Sequence, residues 1–174
     1  AKETWNDTLV ENMLDIPKEN YVIVHPNNVS MPFLGRITPS LGALPLPDDM
    51  AAYKNFMKAV ERRVSEKHGI VIYPEAHIWP YYTKIRPFQD TSFRYPIQLK
   101  VPVFCFTNTY QKRRFRKIPR MVTYVDGPFY PDETLKGRKQ REDLRNRVYE
   151  TMLARSKNNT VEMIQYVKAE EKDD

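Results

Sequence analysis

The chain of 174 residues has 41% apolar and 12% aromatic side chains, which suits one domain with a real core and is too short for two domains of ordinary size. It has no run of about 18 uncharged apolar residues and no charged-apolar-small N-terminal pattern, so we expect neither a transmembrane helix nor a signal peptide. Because the sequence has a single cysteine, Cys105, an internal disulfide and a cysteine metal site are excluded. We expect Cys105 to be packed in a buried strand, and we expect the protein to work in a reducing compartment.

Short β-branched and aromatic runs alternate with helical patterns along the chain. Strands are predicted at residues 21–25, 70–73, 101–106 and 121–125. A helix is predicted between a cap at Asp48 or Asp49 and a stop at Gly69, because apolar residues recur at spacings of three and four: Tyr53, Phe56, Met57, Val60 and Val64. A second helix is predicted from about 139 to 155, with Leu144, Val148, Met152 and Leu153 on one face, followed by amphipathic turns around 161–167.

The proline-rich stretch NNVSMPFLGRITPSLGALPLPDD is typical of an ordered, irregular connection lying over a sheet. No internal repeat or low-complexity tract is present. These patterns predict a single α/β domain over residues 1–174, with a mixed, mostly parallel sheet flanked by helices.

Charge is unevenly distributed along the chain. The net charge is +6, and six of the ten residues in QKRRFRKIPR (residues 111–120) are Lys or Arg, whereas the tail AEEKDD is acidic. Such a basic cluster suits a phosphate-bearing partner, which can be nucleic acid, anionic lipid headgroups or a phosphorylated carrier. The alternative interpretation is an ordinary solvated loop.

The stretch IVIYPEAHIWPYY (residues 70–82) places Glu75 and His77 where a strand-forming run stops. Chemistry in α/β sheets is usually found at the ends of buried strands. Glu75 and His77 are therefore candidate site residues, although an ordinary loop carboxylate and loop histidine would produce the same letters.

The order of these motifs resembles the glycerolipid acyltransferase family, of which the lysophosphatidic acid (1-acyl-glycerol-3-phosphate) acyltransferases are the best-known members. The resemblance is carried by MPFLGRITPSLGALPLPDD, a helix, GIVIYPEAH, RPFQDTSFRYPIQLKVPVFCF, VDGPF and a terminal helix. It covers residues 1–155 and leaves 156–174 as a C-terminal helical tail. The resemblance implies a glycerol-3-phosphate acyltransferase-like fold.

Pro74 and Glu75 match the Pro-Glu of the family signature Pro-Glu-Gly-(Thr/Ser)-Arg, Ala76 replaces its glycine, and His77 stands at its arginine. The resemblance implies that this loop holds the phosphorylated acyl acceptor, so that Glu75 and His77 bind substrate. Histidine donates to a phosphate only in the right tautomer or charge state.

The family's first motif is Asn-His, four residues, then Asp, in which the histidine is the general base and the aspartate orients it. Here AKETWND aligns with that motif: Asp7 matches the aspartate, and Lys2 takes the position of the histidine. A lysine is a poor base near neutral pH unless burial lowers its pKa. His25 has no carboxylate at motif spacing and His68 lies at a helix C-terminus, so neither obviously replaces the base.

The family's second motif normally supplies an arginine where this chain has Pro47 and Asp48. Reasoning from the residues alone allows three other cations to bind phosphate: Lys84, Arg86 and Arg36.

Three functions therefore stay open at this point. The first is transfer of a fatty acyl group from acyl-CoA or acyl carrier protein to a lysophosphatidic acid-type hydroxyl, in phospholipid synthesis. The second is a catalytically silent homologue that binds lipid or carrier protein, which Lys2 favours, and the third is a basic nucleic-acid-binding protein. The resemblance implies no metal, no tightly bound cofactor, no nucleic acid, and peripheral attachment to an anionic membrane surface at its cytoplasmic face.

Overall fold

The computed structural model describes residues 20–24, 42–47, 49–75 and 79–167. The chain divides into two compact units, and their boundary along the sequence lies between Pro74 and Glu75. The α/β class predicted from the sequence is confirmed, whereas the one mixed sheet is replaced by a parallel sheet in the first unit and an antiparallel hairpin in the second. Whether residues 1–174 act as a single domain stays a prediction.

The first unit contains a three-stranded parallel sheet and one long helix. Its strands are β1 (Asn20–Val24), β2 (Ala43–Pro45) and β3 (Gly69–Val71), in the order β2-β1-β3. Helix α1 (Met50–Ser65) connects β2 to β3. A connection of this length is what parallel strands require, because a tight turn can join only antiparallel neighbours.

Helix α1 forms as its sequence pattern predicts. The Asp49 carboxylate accepts a hydrogen bond from the backbone N of Ala52 at 2.7 Å and so caps the first turn. The predicted apolar stripe is buried at Phe56, Met57 and Val60. The helix ends at Ser65, four residues before the predicted stop at Gly69.

Strand β2 lies within the stretch that the sequence predicts as irregular. Gly42 precedes it with a φ of +84°, and a Cβ there would lie 2.8 Å from the carbonyl oxygen of Asn20. The Gly42 carbonyl accepts a hydrogen bond from Val22 N at 2.9 Å, which seats β2 beside β1. A strand of three residues next to prolines leaves no alternation to detect, so the pattern could not predict it.

The second unit is built on a long antiparallel hairpin. Strand β4 (Val103–Arg113) pairs with β5 (Arg116–Phe129), and the hairpin is preceded by a 3-10 turn (Thr91–Phe93) and helix α2 (Arg94–Leu99) and followed by helix α3 (Gly137–Ser156). The strand predicted at 101–106 therefore overlaps an 11-residue strand that begins at Val103, and the strand predicted at 121–125 is part of a 14-residue strand. In the polar half of β4, buried and exposed side chains alternate, and the buried ones include Thr107 and Thr109. A search for apolar runs therefore ends the predicted strand before these residues.

Helix α3 packs against one face of this hairpin. Leu144, Val148 and Met152 are buried as predicted, and they join a core that also contains Phe88, Phe93 and Cys105. The Arg155 Nε donates to the Asp126 carboxylate at 2.9 Å and ties the end of α3 to β5. Cys105 is buried, which confirms the packing role expected of it.

Residues 157–167 form no helix, which corrects the amphipathic turns predicted there. Their first part runs along the edge of β4: Thr160 N donates to Tyr110 O at 3.0 Å, and Lys112 N donates to Thr160 Oγ1 at 2.8 Å. Hydrogen bonding to that strand edge satisfies backbone groups that a helix would otherwise pair internally. No helix in the described ranges is long and apolar enough to cross a bilayer.

Candidate functional site

The predicted site residues fall into two groups. Lys2, Asp7, Arg36 and His77 lie outside the described residues, as does His25. Glu75, Lys84 and Arg86 are described, and all three belong to the second unit. The site can therefore be built from the loop that leads from Glu75 to the 3-10 turn.

Glu75, at the start of this loop, is hydrogen-bonded to Arg86, and we call this pair the Glu75–Arg86 clamp. The Glu75 Oε2 accepts from Arg86 N at 3.0 Å and from Arg86 Nε at 3.3 Å, while Arg86 Nη2 donates to the Glu75 carbonyl oxygen at 3.1 Å. Both side chains are largely shielded from solvent. Charge-assisted hydrogen bonds in such surroundings are stronger than neutral ones, so the pair holds Glu75 firmly against Arg86.

The guanidinium of Arg86 also lies over an aromatic ring. Its Cζ is 4.6 Å from the centroid of Trp79, which is a cation–π distance. Trp79 in turn stacks on Tyr166 at 4.9 Å and meets the edge of Tyr82 at 5.1 Å. The Tyr166 hydroxyl donates to Pro80 O at 2.8 Å, so the extended C-terminal segment completes the cluster around the arginine.

A second set of contacts attaches the loop to the hairpin. The Asn159 Nδ2 donates to Thr83 O at 3.0 Å, and its Oδ1 accepts from Tyr110 N at 2.7 Å. Tyr81, which adopts a φ of +55°, places its ring 5.3 Å from that of Tyr110. Burial raises the pKa of Tyr110, and the neighbouring hydroxyls of Tyr81 and Tyr166 add to this effect.

Lys84 differs from the other two described candidates. Its side chain is exposed, and it makes no ion pair with any residue in the described part of the chain. Glu75 and Arg86 are brought into direct contact, whereas Lys84 lies on the loop between them without joining the clamp.

The chemistry available at this loop is recognition of an anion. Glu75 is committed to two donors of Arg86, so in this arrangement it orients the arginine rather than moves a proton. Within the described ranges, no group of His, Cys, Asp and Glu is placed to hold a metal ion. A fixed guanidinium with an exposed lysine two residues away along the chain suits a phosphate group.

The sequence indicated Glu75 and Arg86 but not the residues that hold them. The aromatic run IWPYY was visible, yet its partner Tyr166 is 84 residues after Tyr82 and lies in a segment for which helix was predicted. Asn159 gave no signal of its own, because an asparagine after a helix is typical of any helix stop.

The basic cluster of the sequence lies at the far end of the hairpin. Residues 112–121, which we call the hairpin tip, contain the last two residues of β4, the turn and the start of β5. The cluster is therefore part of a paired β-ribbon rather than an isolated loop.

Comparison with known proteins gives one informative result. No family model matches the sequence, and no curated protein matches it. Among solved structures, the chain is similar to the crystal structure of the 1-acyl-sn-glycerophosphate (LPA) acyltransferase PlsC from Thermotoga maritima, with a TM-score of 0.53 and 14% sequence identity over 82% of this chain. The match spans 59% of the PlsC chain, and at this identity it shows that the two share a fold.

Proposed function

We propose that this chain is an acyltransferase domain that transfers a fatty acyl group from an acyl thioester to the hydroxyl of a lysophosphatidic acid-type acceptor. In that reaction the acceptor oxygen attacks the thioester carbonyl carbon, the carbon–sulfur bond breaks, and the thiol of coenzyme A or carrier protein leaves. The acceptor proton passes to a base. We further propose that the domain works as a peripheral protein at a membrane, where such an acceptor is found.

The observation that carries the proposal is the Glu75–Arg86 clamp at the Pro-Glu motif. The residue matching the acid of the signature orients an arginine through three hydrogen bonds, in a chain that shares its fold with an LPA acyltransferase. An arginine already held by its neighbours loses less side-chain entropy when it binds a phosphate. Arg86 would bind the acceptor phosphate, Lys84 would add a second charge, and His77, two residues after Glu75 in the sequence, would add a further donor.

Binding assays test this role without requiring turnover. The Arg86→Lys variant keeps the charge but loses the planar fork, so we expect lysophosphatidic acid to bind about 10- to 100-fold more weakly, since one charge-assisted hydrogen bond is worth about 1.5–3 kcal/mol. Monoacylglycerol, which lacks the phosphate, should bind the variant and the parent equally. Glu75→Gln should have the same direction of effect, because it releases Arg86.

A matched control is available in the same unit. Arg141 Nε donates to Asp90 Oδ2 at 2.9 Å in a partly buried pair at the other end of the loop, and we assign this pair no part in binding phosphate. Arg141→Lys should leave binding of lysophosphatidic acid unchanged. Equal losses in Arg86→Lys and Arg141→Lys would contradict the proposed role of the clamp, as would equal losses for both lipids.

The silent-binder alternative rests on Lys2, which stands where the family has its base. It is separated from the enzyme by assaying acyl transfer to lysophosphatidic acid from acyl-CoA and from acyl carrier protein. Clamp-dependent binding without transfer from either donor would favour the silent homologue.

A further inference from the structure

The hairpin tip combines positive charge with exposed apolar side chains. All six of its cations are exposed: Lys112, Arg113, Arg114, Arg116, Lys117 and Arg120. Three apolar side chains of the tip are exposed as well: Phe115 at the turn by 86%, Ile118 by 64% and Met121 by 58%. Exposed apolar side chains are ordinary when scattered singly, but three of them within seven residues at the end of a ribbon form a patch.

Nothing in the described part of the chain neutralises this patch. None of the six cations forms an ion pair with a described residue, and the stretch from Thr107 to Val125 contains no Asp or Glu. The Arg114 guanidinium lies 5.2 Å from the Phe115 ring centroid, which keeps charge and aromatic surface together at the turn. The hairpin tip therefore has six positive charges, none paired with a described residue, around the exposed side chain of Phe115.

Further apolar side chains lie along one face of the hairpin, on both sides of the polar pair Asn108–Thr123. Phe106 lies opposite Val125 in the register, and Tyr110 lies opposite Met121. Phe106 and Val125 are exposed, and Phe104, two residues earlier on the same face, is exposed as well. The opposite face is the one that buries Cys105, Thr107 and Thr109.

We propose that the hairpin tip is a lipid-docking element that enters the headgroup region of an anionic bilayer, with Phe115 and Ile118 as its apolar anchors and the six cations at the level of the phosphates. From Lys112 to Phe115 the ribbon advances about 7–10 Å, which matches the depth of about 5–10 Å reached by interfacial amphipathic elements. Charge complementarity selects the anionic lipid, since each basic residue near such a surface adds to its binding.

The apolar residues favour lipid over nucleic acid as the partner. Phe115 alone would suit base stacking, but Ile118, Met121 and Val125 are not aromatic and offer a base no such platform. The free energy falls when apolar side chains of this kind leave water for the acyl boundary of a bilayer. The proposal does not depend on acyl transfer, because docking is measured without donor or acceptor.

The charge requirement is tested by binding the full chain to vesicles. Vesicles of phosphatidylcholine with 30% phosphatidylglycerol, at low ionic strength, should bind it, and pure phosphatidylcholine vesicles should bind it far less. The Lys112→Gln/Lys117→Gln variant should bind the anionic vesicles about 25-fold more weakly, at about 5-fold per lysine. The matched Lys54→Gln/Lys58→Gln variant removes the same charge from exposed positions on α1 and should bind like the parent.

The apolar requirement is tested by two substitutions of Phe115. Phe115→Ser should weaken vesicle binding about 10-fold, since partial burial of an aromatic side chain is lost, whereas Met50→Ser, at a residue that is 73% exposed on α1, should not. Phe115→Trp should show a blue shift on adding anionic vesicles and quenching by brominated acyl chains. Tyr130→Trp, at a residue that is 61% exposed in the same unit, should show neither.

Three results would overturn the proposal. The first is equal loss of vesicle binding in the two lysine pairs, which would mean that only net charge matters. The second is vesicle binding with no blue shift at Phe115→Trp, which would mean that the tip does not enter the bilayer. The third is tip-dependent binding of a single-stranded oligonucleotide that exceeds vesicle binding, which would assign the surface to nucleic acid.

Discussion

The Asn159 side chain accepts a hydrogen bond from the backbone N of Tyr110 at 2.7 Å and thereby fixes the C-terminal segment against strand β4. The same amide donates to Thr83 O at 3.0 Å and to Ser156 O at 2.7 Å. One side chain thus links the end of α3, the middle of the hairpin and the loop of the Glu75–Arg86 clamp. The geometry of that loop depends on a residue that has no part in the sequence motif.

Replacing Asn159 with Ala should destabilise the second unit. The substitution leaves the partly buried Tyr110 N and Thr83 O without their partners, and each such group costs about 1–3 kcal/mol. We therefore expect the free energy of unfolding in urea to fall by about 2 kcal/mol or more. Asn158→Ala changes an exposed neighbour whose side chain makes no hydrogen bond within the described residues, and it should be nearly neutral. Equal effects at the two positions would contradict this account of Asn159.

Two threonines on the buried face of β4 should respond in opposite directions to substitution by valine, as measured by the free energy of unfolding. Thr107 and Thr109 are 1% and 0% exposed. Thr109 Oγ1 donates to Val122 O at 3.1 Å and accepts from Gln111 Nε2 at 3.1 Å, whereas Thr107 Oγ1 has no hydrogen-bond partner in the described part of the chain. Thr107→Val should therefore raise the free energy of unfolding by about 1 kcal/mol, because it removes an unsatisfied buried hydroxyl.

Thr109→Val should lower the free energy of unfolding by about 1 kcal/mol, since it removes a buried hydroxyl that donates to Val122 O and accepts from Gln111 Nε2. Both substitutions keep side-chain volume and β-branching, so packing and strand propensity are matched within the pair. Thermal and urea unfolding of the two variants measures the difference. A destabilised Thr107→Val would show that its hydroxyl has a partner of importance to the fold.

Elements with a strong local signal were predicted well from the sequence. The stripe of α1, its Asp49 cap and the buried positions of α3 follow from helical periodicity, which is set by residues close in the chain. The full length of the hairpin was missed because the polar half of β4, which begins at Thr107, buries threonines where a search for strands looks for apolar side chains. The lack of helix in 157–167 was missed because the partner that holds this segment, β4, lies about 50 residues earlier.

The candidate site divides in the same way. Glu75 and Arg86 were identified from the motif and from charge, and the structure joins them. Tyr166 stacks on Trp79, and Asn159 donates a hydrogen bond to Thr83 O. These are tertiary contacts between distant parts of the chain, so no spacing in the sequence indicates them. The roles of Glu75, Arg86 and Lys84 remain predictions. So do those of Lys2, Asp7, His77 and Arg36, which lie outside the described ranges.

Cys105 predicts a stability change at alkaline pH. Burial, with a smaller contribution from Asp126, raises the pKa of its thiol from 9.0 to about 11. Between these two values the folded protein keeps a proton that the unfolded chain has released, so stability must fall as the pH rises from about 9 to 11. Urea unfolding across this range should show a steeper decline for the parent than for Cys105→Ala, which has lost the titrating group.

Reactivity of the thiol gives an independent check on the same burial. A thiol with a raised pKa holds little thiolate at pH 8, so Cys105 should react slowly with a disulfide reagent in the folded protein and rapidly in urea. Equal rates in the two states would show that Cys105 is open to solvent. Equal pH slopes for the parent and Cys105→Ala would assign the alkaline decline to other groups.

The final prediction concerns the base of the proposed acyl transfer. A protonated Lys2 cannot accept the acceptor proton, so the chain with its present residues should transfer slowly. Ala1→Asn with Lys2→His places an imidazole five positions before Asp7, in the arrangement that the family resemblance implies. Transfer of an acyl group to lysophosphatidic acid should then rise by about 10²–10⁴-fold, which is the usual range for general-base assistance.

Two further variants decide whether that rise comes from the intended pair. Adding Asp7→Ala to the His-containing variant should reduce its transfer rate, because the imidazole loses the carboxylate that holds its tautomer and orientation. Lys2→Ala in the parent should leave its slow rate unchanged, since Lys2 contributes no base. If the parent already transfers acyl groups rapidly and Lys2→Ala does not change its rate, the base lies elsewhere. The assignment of AKETWND to the catalytic motif would then be wrong. Binding of lysophosphatidic acid through Arg86 would still be measurable in that case. The proposed role of the clamp in phosphate recognition is therefore tested by the binding assay, independently of the transfer rate.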